Sequence, residues 1–275
     1  MQRAVATPST WALFVFLGLL CFTGACFAHT LDMMNTKCPL CGAEFEYTAA
    51  MSGNPYGVRL DHKKVGAIYQ PWPIPQCPEC RYAFFDGKEE LSPAIKRLLR
   101  EYIESPGFKD IHEKAPSYFY LARFMELLEK PRIIIAFAYL RVSWQAEGTE
   151  ALDDGRLKLG WTNDPAMNRL ALQEALRCVE SVGENDSLDE QLNALYLKVE
   201  LNRRLENFAA AKESLQKVRE KIETAKREND HGGLSGNQIQ VLEGLPSFLD
   251  RQERLIADGD AAPALLEELA PAKGF

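Results

Sequence analysis

Two Cys-Pro-x-Cys motifs constrain this chain more than any other feature of its sequence. They are Cys38-Pro39-Leu40-Cys41 and Cys77-Pro78-Glu79-Cys80, separated by 35 residues. Two residues between paired cysteines let one tight turn direct both sulfurs at one point, and two such turns supply four thiolates for a tetrahedral Zn²⁺ ion. Gly42 can adopt the left-handed conformation after the first pair, whereas Arg81 stands at the matching position after the second. The pattern predicts a structural zinc site formed by Cys38, Cys41, Cys77 and Cys80.

Two other uses of these cysteines stay open at this point. Cys-x-x-Cys is also the signature of thiol-disulfide enzymes, in which the pair starts a helix within a βαβ unit. Neither pair here leads into helical sequence, and a redox enzyme needs only one such pair. Disulfide bonds are the other alternative, because the N-terminal sequence, described next, predicts export to an oxidising compartment. We favour zinc over both.

Residues 1–28 have the pattern of a secretory signal peptide. Arg3 precedes a twelve-residue apolar run, Trp11–Phe22, and no charged residue lies within or directly after this run. The run is short for a membrane span but suits the core of a signal peptide, with cleavage after Ala28. Two alternatives remain, which are acylation of Cys26 as a lipoprotein and an uncleaved membrane anchor. In all three cases the basic N-terminal side predicts that the rest of the chain lies in the periplasm or cell envelope.

From residue 91 onward the hydrophobic pattern changes to that of α-helices. Ser92-Pro93 and Asp164-Pro165 are typical helix starts, with a capping side chain followed by proline. The segment Ile133–Trp144 is apolar nearly all round and is expected in the middle of a helical layer. Ala194–Val218 has the spacing of a tetratricopeptide helix pair. The sequence also predicts a last short helix over Pro263–Leu269.

The pattern as a whole predicts a mainly α protein with two folded parts after the signal segment. Residues 31–90 form a small β zinc ribbon, and residues 91–275 form a TPR-like helical-repeat domain. Acidic residues outnumber basic residues 39 to 32, which gives a net charge of −7. A protein that binds phosphate backbones normally has a basic face, so nucleic acid is not a predicted partner.

No catalytic motif accompanies these parts, and no catalytic residue is predicted. The chain has no phosphate-binding loop, no GxSxG and no HExxH. Its histidines, which include His62, have no ligand spacing and are expected at the surface or in loops. Cys178 shares a helical stripe with Ala171 and Ala175 and is predicted to be a small core residue. Trp72 lies in a proline-rich loop, where an aromatic side chain is either a core edge or a binding anchor.

Several segments together resemble a bacterial family catalogued as domain of unknown function 2225. They are CPLCGAEFEY, GVRLD and PIPQCPECRYAFF, followed by YFYLARFMELLEKP and IAFAYLRVSWQAEG, and the likeness covers roughly residues 37–182. The resemblance implies a four-cysteine zinc ribbon followed by tetratricopeptide-like helices, with the same four cysteines as ligands. Two features depart from the family, since Arg81 replaces the usual glycine and a signal segment precedes the ribbon. The family has no assigned activity, so the resemblance supports a fold rather than a function.

These observations predict a non-catalytic, exported zinc-binding protein that acts as a protein–protein interaction scaffold. A helical-repeat array offers a large concave surface for a protein or peptide partner. Membrane contact is predicted only through the N-terminal segment, if that segment is lipidated or uncleaved. The alternative function is a thiol-disulfide oxidoreductase that uses the Cys-x-x-Cys pairs.

The signal segment gives the first testable prediction. Fusion of residues 1–35 to an alkaline phosphatase that is active only outside the cytoplasm is expected to give an active reporter, because the apolar run directs export. The variant Leu17→Arg places a charge in the middle of the run and should abolish the reporter activity. An inactive fusion with the unchanged segment would show that the export interpretation is wrong.

Overall fold

The computed structural model describes residues 30–111, 115–148, 163–229 and 235–266. Within these ranges the chain forms four short strands followed by eight helices. The prediction of a mainly α fold with a small N-terminal β region is confirmed. The predicted signal segment, including Cys26, lies outside the described residues. No helix in the described ranges is long and apolar enough to cross a membrane.

The strands form two antiparallel hairpins. Strand β1 (Thr30–Lys37) pairs with β2 (Glu44–Ser52), and β3 (Asn54–Val58) pairs with β4 (Lys64–Ala67). A two-stranded hairpin is marginally stable on its own in water. Both hairpins therefore depend on what their turns and faces contact elsewhere in the chain.

The helices follow the strands in one continuous series. They are α1 (Pro93–Glu104), α2 (Pro106–Lys109), α3 (Ser117–Leu127), α4 (Arg132–Ala146), α5 (Pro165–Glu180), α6 (Leu188–Arg204), α7 (Phe208–Asn229) and α8 (Gly236–Ala257). From α3 onward each helix packs against the next, and α6 also contacts α4 and α8. This serial packing keeps most contacts between sequence neighbours.

Side-chain caps fix the helix starts that the sequence predicts. The Ser92 hydroxyl accepts a hydrogen bond from the Ile95 amide at the start of α1, and the Asp164 carboxylate accepts one from the Met167 amide at the start of α5. At α6 the side chain of Ser187 and the residue three positions later form a reciprocal capping box. These bonds satisfy amides that have no partner within a helix.

Helix α4 is central, as its nearly continuous apolar sequence predicts. It packs against α3, α5 and α6, and Ile135, Tyr139 and Val142 have no exposed surface. Ile134 is the one large apolar side chain of this helix that is exposed, with 45% of its surface accessible. Cys178 on α5 is fully buried, which confirms that it is a packing residue.

The predicted helix over Pro263–Leu269 is wrong in its described part. Residues 263–266 are not helical; Ala264 accepts a hydrogen bond from the Leu60 amide, and Leu266 donates one to the Val58 carbonyl, each at 3.0 Å. A helix of seven residues gains little stability on its own. The open edge beside β3 offers unpaired backbone groups, and pairing with them outweighs the local helix propensity.

A buried arginine holds the segment that leads to this edge. Arg203 on α6 has no exposed surface and is paired with Glu200 one helical turn earlier, at 2.7 and 2.9 Å. Its guanidinium also donates to the carbonyl oxygens of Asp260 and Ala262 at 2.6 and 2.9 Å. Because the charge is paired and its donors are used, burial of this side chain is tolerated and the segment after α8 is fixed.

Candidate metal centre

The four cysteine sulfurs of the two motifs all lie within 4.8 Å of one another. The Sγ atoms of Cys38 and Cys80 are 3.6 Å apart, and those of Cys41 and Cys77 are 3.5 Å apart. A tetrahedral ion with metal–sulfur bonds of about 2.3 Å places its sulfurs about 3.8 Å apart, whereas a disulfide bond is about 2.0 Å long. All four residues are free cysteines. The cluster therefore has the dimensions to hold one metal ion.

The two Cys-x-x-Cys turns share one backbone hydrogen-bond pattern. In each turn the first cysteine, Cys38 or Cys77, donates to the carbonyl five residues later and accepts from the amide four residues later, with N···O distances of 2.8 to 2.9 Å. The residue that donates this amide is Gly42 in the first turn, with φ of +84°, and Arg81 in the second, with φ of +61°. Arg81 thus adopts the left-handed conformation at a cost of about 1–2 kcal/mol. Its guanidinium donates to the Tyr120 hydroxyl at 3.2 Å.

Hydrogen bonds within the cluster redistribute the acidity of the thiols. The pKa of Cys38 falls to about 5 because the Cys80 thiol donates to its sulfur, and the amides of Cys41 and Leu40 add to this effect against the opposing effect of burial. The same bond raises the pKa of Cys80, and burial raises that of Cys77. The backbone amides thus stabilise a thiolate in advance of metal binding, which requires deprotonated sulfurs.

The cluster is attached to the helices on its buried side. Arg100 of α1 donates to the carbonyl oxygen of Leu40 inside the first turn at 3.1 Å. The Tyr82 ring, directly after the second turn, lies 5.1 Å from the ring of Phe124 on α3. Cys41 is exposed, so one edge of the cluster faces solvent. A metal ion here would fix two turns against two helices.

A second group of polar residues, which sequence reasoning missed, joins the middle of the insert between the motifs to helices α4 and α6. We call it the ion cluster, and it consists of Arg59, Asp61, Lys63, Glu147 and Arg204. Asp61 has no exposed surface. Its carboxylate accepts hydrogen bonds from Arg59, from Arg204 at 3.0 Å and from the Trp144 indole at 3.0 Å.

Glu147 is the second acid of the ion cluster. It accepts hydrogen bonds from Arg59 at 2.7 Å, from Lys63 at 3.0 Å and from Arg204 at 2.8 Å. Burial opposes its ionisation, but the bonds and charges of these three cations outweigh burial and lower the pKa of Glu147 to about 2. The cluster joins the β3–β4 turn to the ends of α4 and α6.

His62 lies beside the ion cluster. It occupies the β3–β4 loop, which agrees with the expectation of a surface or loop position, and its half-buried ring packs between Phe137, Tyr196 and Phe248 at centroid distances of 6.0, 5.1 and 6.3 Å. Burial lowers its pKa. A single histidine in a turn gives no periodic signal of burial. The remaining histidines, His29, His112 and His231, lie outside the described residues.

Residues 31–231 match the model of a family described as an uncharacterized protein conserved in bacteria, domain of unknown function 2225. The chain belongs to this family. The match to domain of unknown function 2225 includes both Cys-x-x-Cys turns, the whole ion cluster and helices α1 to α7, so it extends beyond the resemblance seen in the sequence. Neither a search of curated proteins nor a search of solved structures gave a match.

Metal content tests the sulfur cluster directly. The chain purified without added reductant is expected to carry about one zinc ion, because four converging thiolates match its preferred geometry. Cys38→Ser and Cys77→Ser should each lose most of the metal, as measured by inductively coupled plasma mass spectrometry. Cys178→Ser, which removes a buried thiol outside the cluster, should keep it. A metal-free chain with two disulfide bonds would refute the prediction.

Acid stability tests the ion cluster. The folded-state pKa of Glu147 lies below its usual value of 4.5. The contribution of its charge to the free energy of unfolding is therefore complete above pH 4.5 and is lost as the pH falls toward 2. From that shift we expect the free energy of unfolding to fall by on the order of 3 kcal/mol over this pH range. In urea unfolding at equal zinc content, Glu147→Gln should destabilise the protein at neutral pH, and its deficit should shrink as the pH falls.

The matched control is Glu213→Gln, which changes an exposed carboxylate on α7. Its stability should follow that of the unchanged chain at each pH. If Glu147→Gln instead kept a constant deficit from pH 5 to pH 3, the charge of Glu147 would not be the source of the acid sensitivity.

Proposed function

We propose that this chain is a non-catalytic, exported zinc-binding protein that serves as an interaction scaffold. The convergence of four cysteine sulfurs supports this proposal more than any other observation. Zinc with four cysteine ligands is coordinatively saturated and structural, whereas catalytic zinc keeps a position for water. The zinc ion in this proposal stabilises the two turns and leaves recognition to the helices.

The helical series supports a scaffold role. Helices α3 to α8 pack in sequence order, which is how repeat arrays generate a long surface for their size. Ile134 on α4 and Leu170 on α5 are large apolar side chains that are 45% and 39% exposed on two helices in contact. Exposed apolar residues of this kind suit a protein or peptide partner.

Export is part of the proposal and depends on the N-terminal sequence. The apolar run Trp11–Phe22 after Arg3 supports a location in the periplasm or cell envelope. Membrane contact would then come only from this segment, either uncleaved or acylated at Cys26. The acidic net charge disfavours nucleic acid as a partner.

A thiol-disulfide oxidoreductase is the second candidate function. The observation in its favour is Cys38, whose pKa is lowered to about 5, chiefly by the hydrogen bond from Cys80, since low-pKa thiols are reactive. Two observations weigh against it. Both cysteine pairs lie in turns and not at the N-terminus of a helix, and a stabilised thiolate equally serves metal binding.

Site-specific photocrosslinking tests the scaffold. A photoreactive residue at position 134 or 170 of the full chain in its native host is expected to give a discrete crosslinked product. The same residue at position 56 should give none, because Tyr56 is also exposed, at 55%, but lies on β3. Leu170→Asp should weaken the product at position 134 by roughly tenfold, as expected for loss of a buried apolar contact.

The redox alternative is measured in parallel. The purified chain should not accelerate the reduction of insulin disulfides above the rate of free thiols. Turnover that disappears in Cys38→Ser, together with no product at positions 134 and 170, would favour the oxidoreductase over the scaffold.

A further inference from the structure

A cavity of about 310 Å³ lies between the strands and helix α4. Five aromatic side chains line it, namely Trp72, Phe85, Tyr118, Phe137 and Trp144. The two at the rim, Trp72 and Phe85, are 43% and 55% exposed, while Tyr118 and Trp144 are buried. Pockets of this size with aromatic walls are typical of small-molecule sites. The walls suit a flat apolar group.

The charged residues of the cavity are all basic. Lys64 of β4 and Arg141 of α4 line it, and no acidic side chain among the described residues does so. Arg141 lies over the Tyr118 ring at 5.7 Å. Within the described part of the chain, neither cation has a carboxylate partner. Two uncompensated cations in a chain with net charge −7 give a local positive potential in the cavity.

The wall behind the cavity strengthens this potential. Trp144 presents its ring to the cavity and donates its indole N–H to Asp61 of the ion cluster. That cluster combines three cations, Arg59, Lys63 and Arg204, with two acids, so it carries a net charge of +1.

Two polar side chains complete the lining. Gln70 contributes to the wall. The His62 ring also lines the cavity, and its Nε2 is buried without a hydrogen-bond partner among the described residues. A buried polar atom without a partner is costly unless a ligand or water satisfies it.

We propose that this cavity binds a small organic anion with a flat apolar body, of the class of aromatic carboxylates. The aromatic walls would enclose the flat group, and Lys64 and Arg141 would bind the carboxylate. Arginine forms paired hydrogen bonds to carboxylates, which gives it geometric selectivity for this group. The proposal does not depend on the scaffold function, because the exposed apolar residues of α4 and α5 are not part of the cavity.

The test is a calorimetric titration of the full zinc-loaded chain with 2-naphthoate and with its neutral counterpart 2-naphthamide. The acid is expected to bind saturably with one site, and the amide roughly tenfold or more weakly, since the charge-assisted bonds are lost. Arg141→Gln and Lys64→Gln should each weaken binding of the acid by about tenfold. Arg169→Gln, an exposed arginine on α5 outside the cavity, should leave it unchanged.

Several results would overturn the proposal. They are the absence of saturable binding of 2-naphthoate at millimolar concentration, equal affinity for acid and amide, and binding unaffected by both cavity variants. Lys64 is exposed, so Lys64→Gln keeps the test valid if Arg141→Gln fails to fold. Leu170→Asp should leave binding of the acid intact, which separates this proposal from the scaffold function.

Discussion

The Asp61 carboxylate has no exposed surface, so the fold must place compensating charges or hydrogen-bond donors around the β3–β4 turn that carries it. The compensation comes from Arg59 on the same hairpin and from two distant parts of the chain, Trp144 on α4 and Arg204 on α6. Removing one of these partners would leave the buried charge incompletely compensated, and breaking a buried ion pair costs about 3–5 kcal/mol. The position of the hairpin relative to these two helices is therefore set by this one carboxylate, and Glu147 repeats the constraint with the same two arginines.

The sulfur cluster and the ion cluster constrain the same stretch of chain at different points. The cysteines fix both ends of the 35-residue insert, and Asp61 fixes its middle. A flexible loop of this length loses considerable conformational entropy on closure. Because Asp61 fixes the middle of the insert, the insert consists of two shorter loops, and each has less conformational freedom than the whole. Loss of the metal would release the turns at Cys38 and Cys77, whereas the centre of the insert would stay attached through Arg59 and Arg204.

Features encoded locally were predictable, and those that depend on distant partners were not. The spacing of Cys38 and Cys41 defines a turn within four residues, and Ser92 caps its own helix, so both can be inferred from a short segment. Asp61 alternates with apolar neighbours as an outward-facing strand residue would, and its partner Arg204 lies 143 positions away. The helix predicted from Pro263 is wrong for the same reason. The segment pairs instead with the backbone of Leu60, which is far away in the sequence and gives no signal near Pro263.

The two clusters also explain why a cavity persists in a part of the molecule with so many aromatic side chains. Trp144 cannot turn to fill the space, because its indole N–H is held by the buried Asp61. Phe85 follows the second cysteine turn by five residues and contacts Tyr118 edge-on at 6.3 Å, so the sulfur cluster positions one side of the rim. Tyr118 in turn donates to the Trp72 carbonyl at 3.0 Å, which fixes the other side. Hydrogen bonds and ring contacts thus hold these side chains in place, so the proposed ligand site is formed before any ligand arrives.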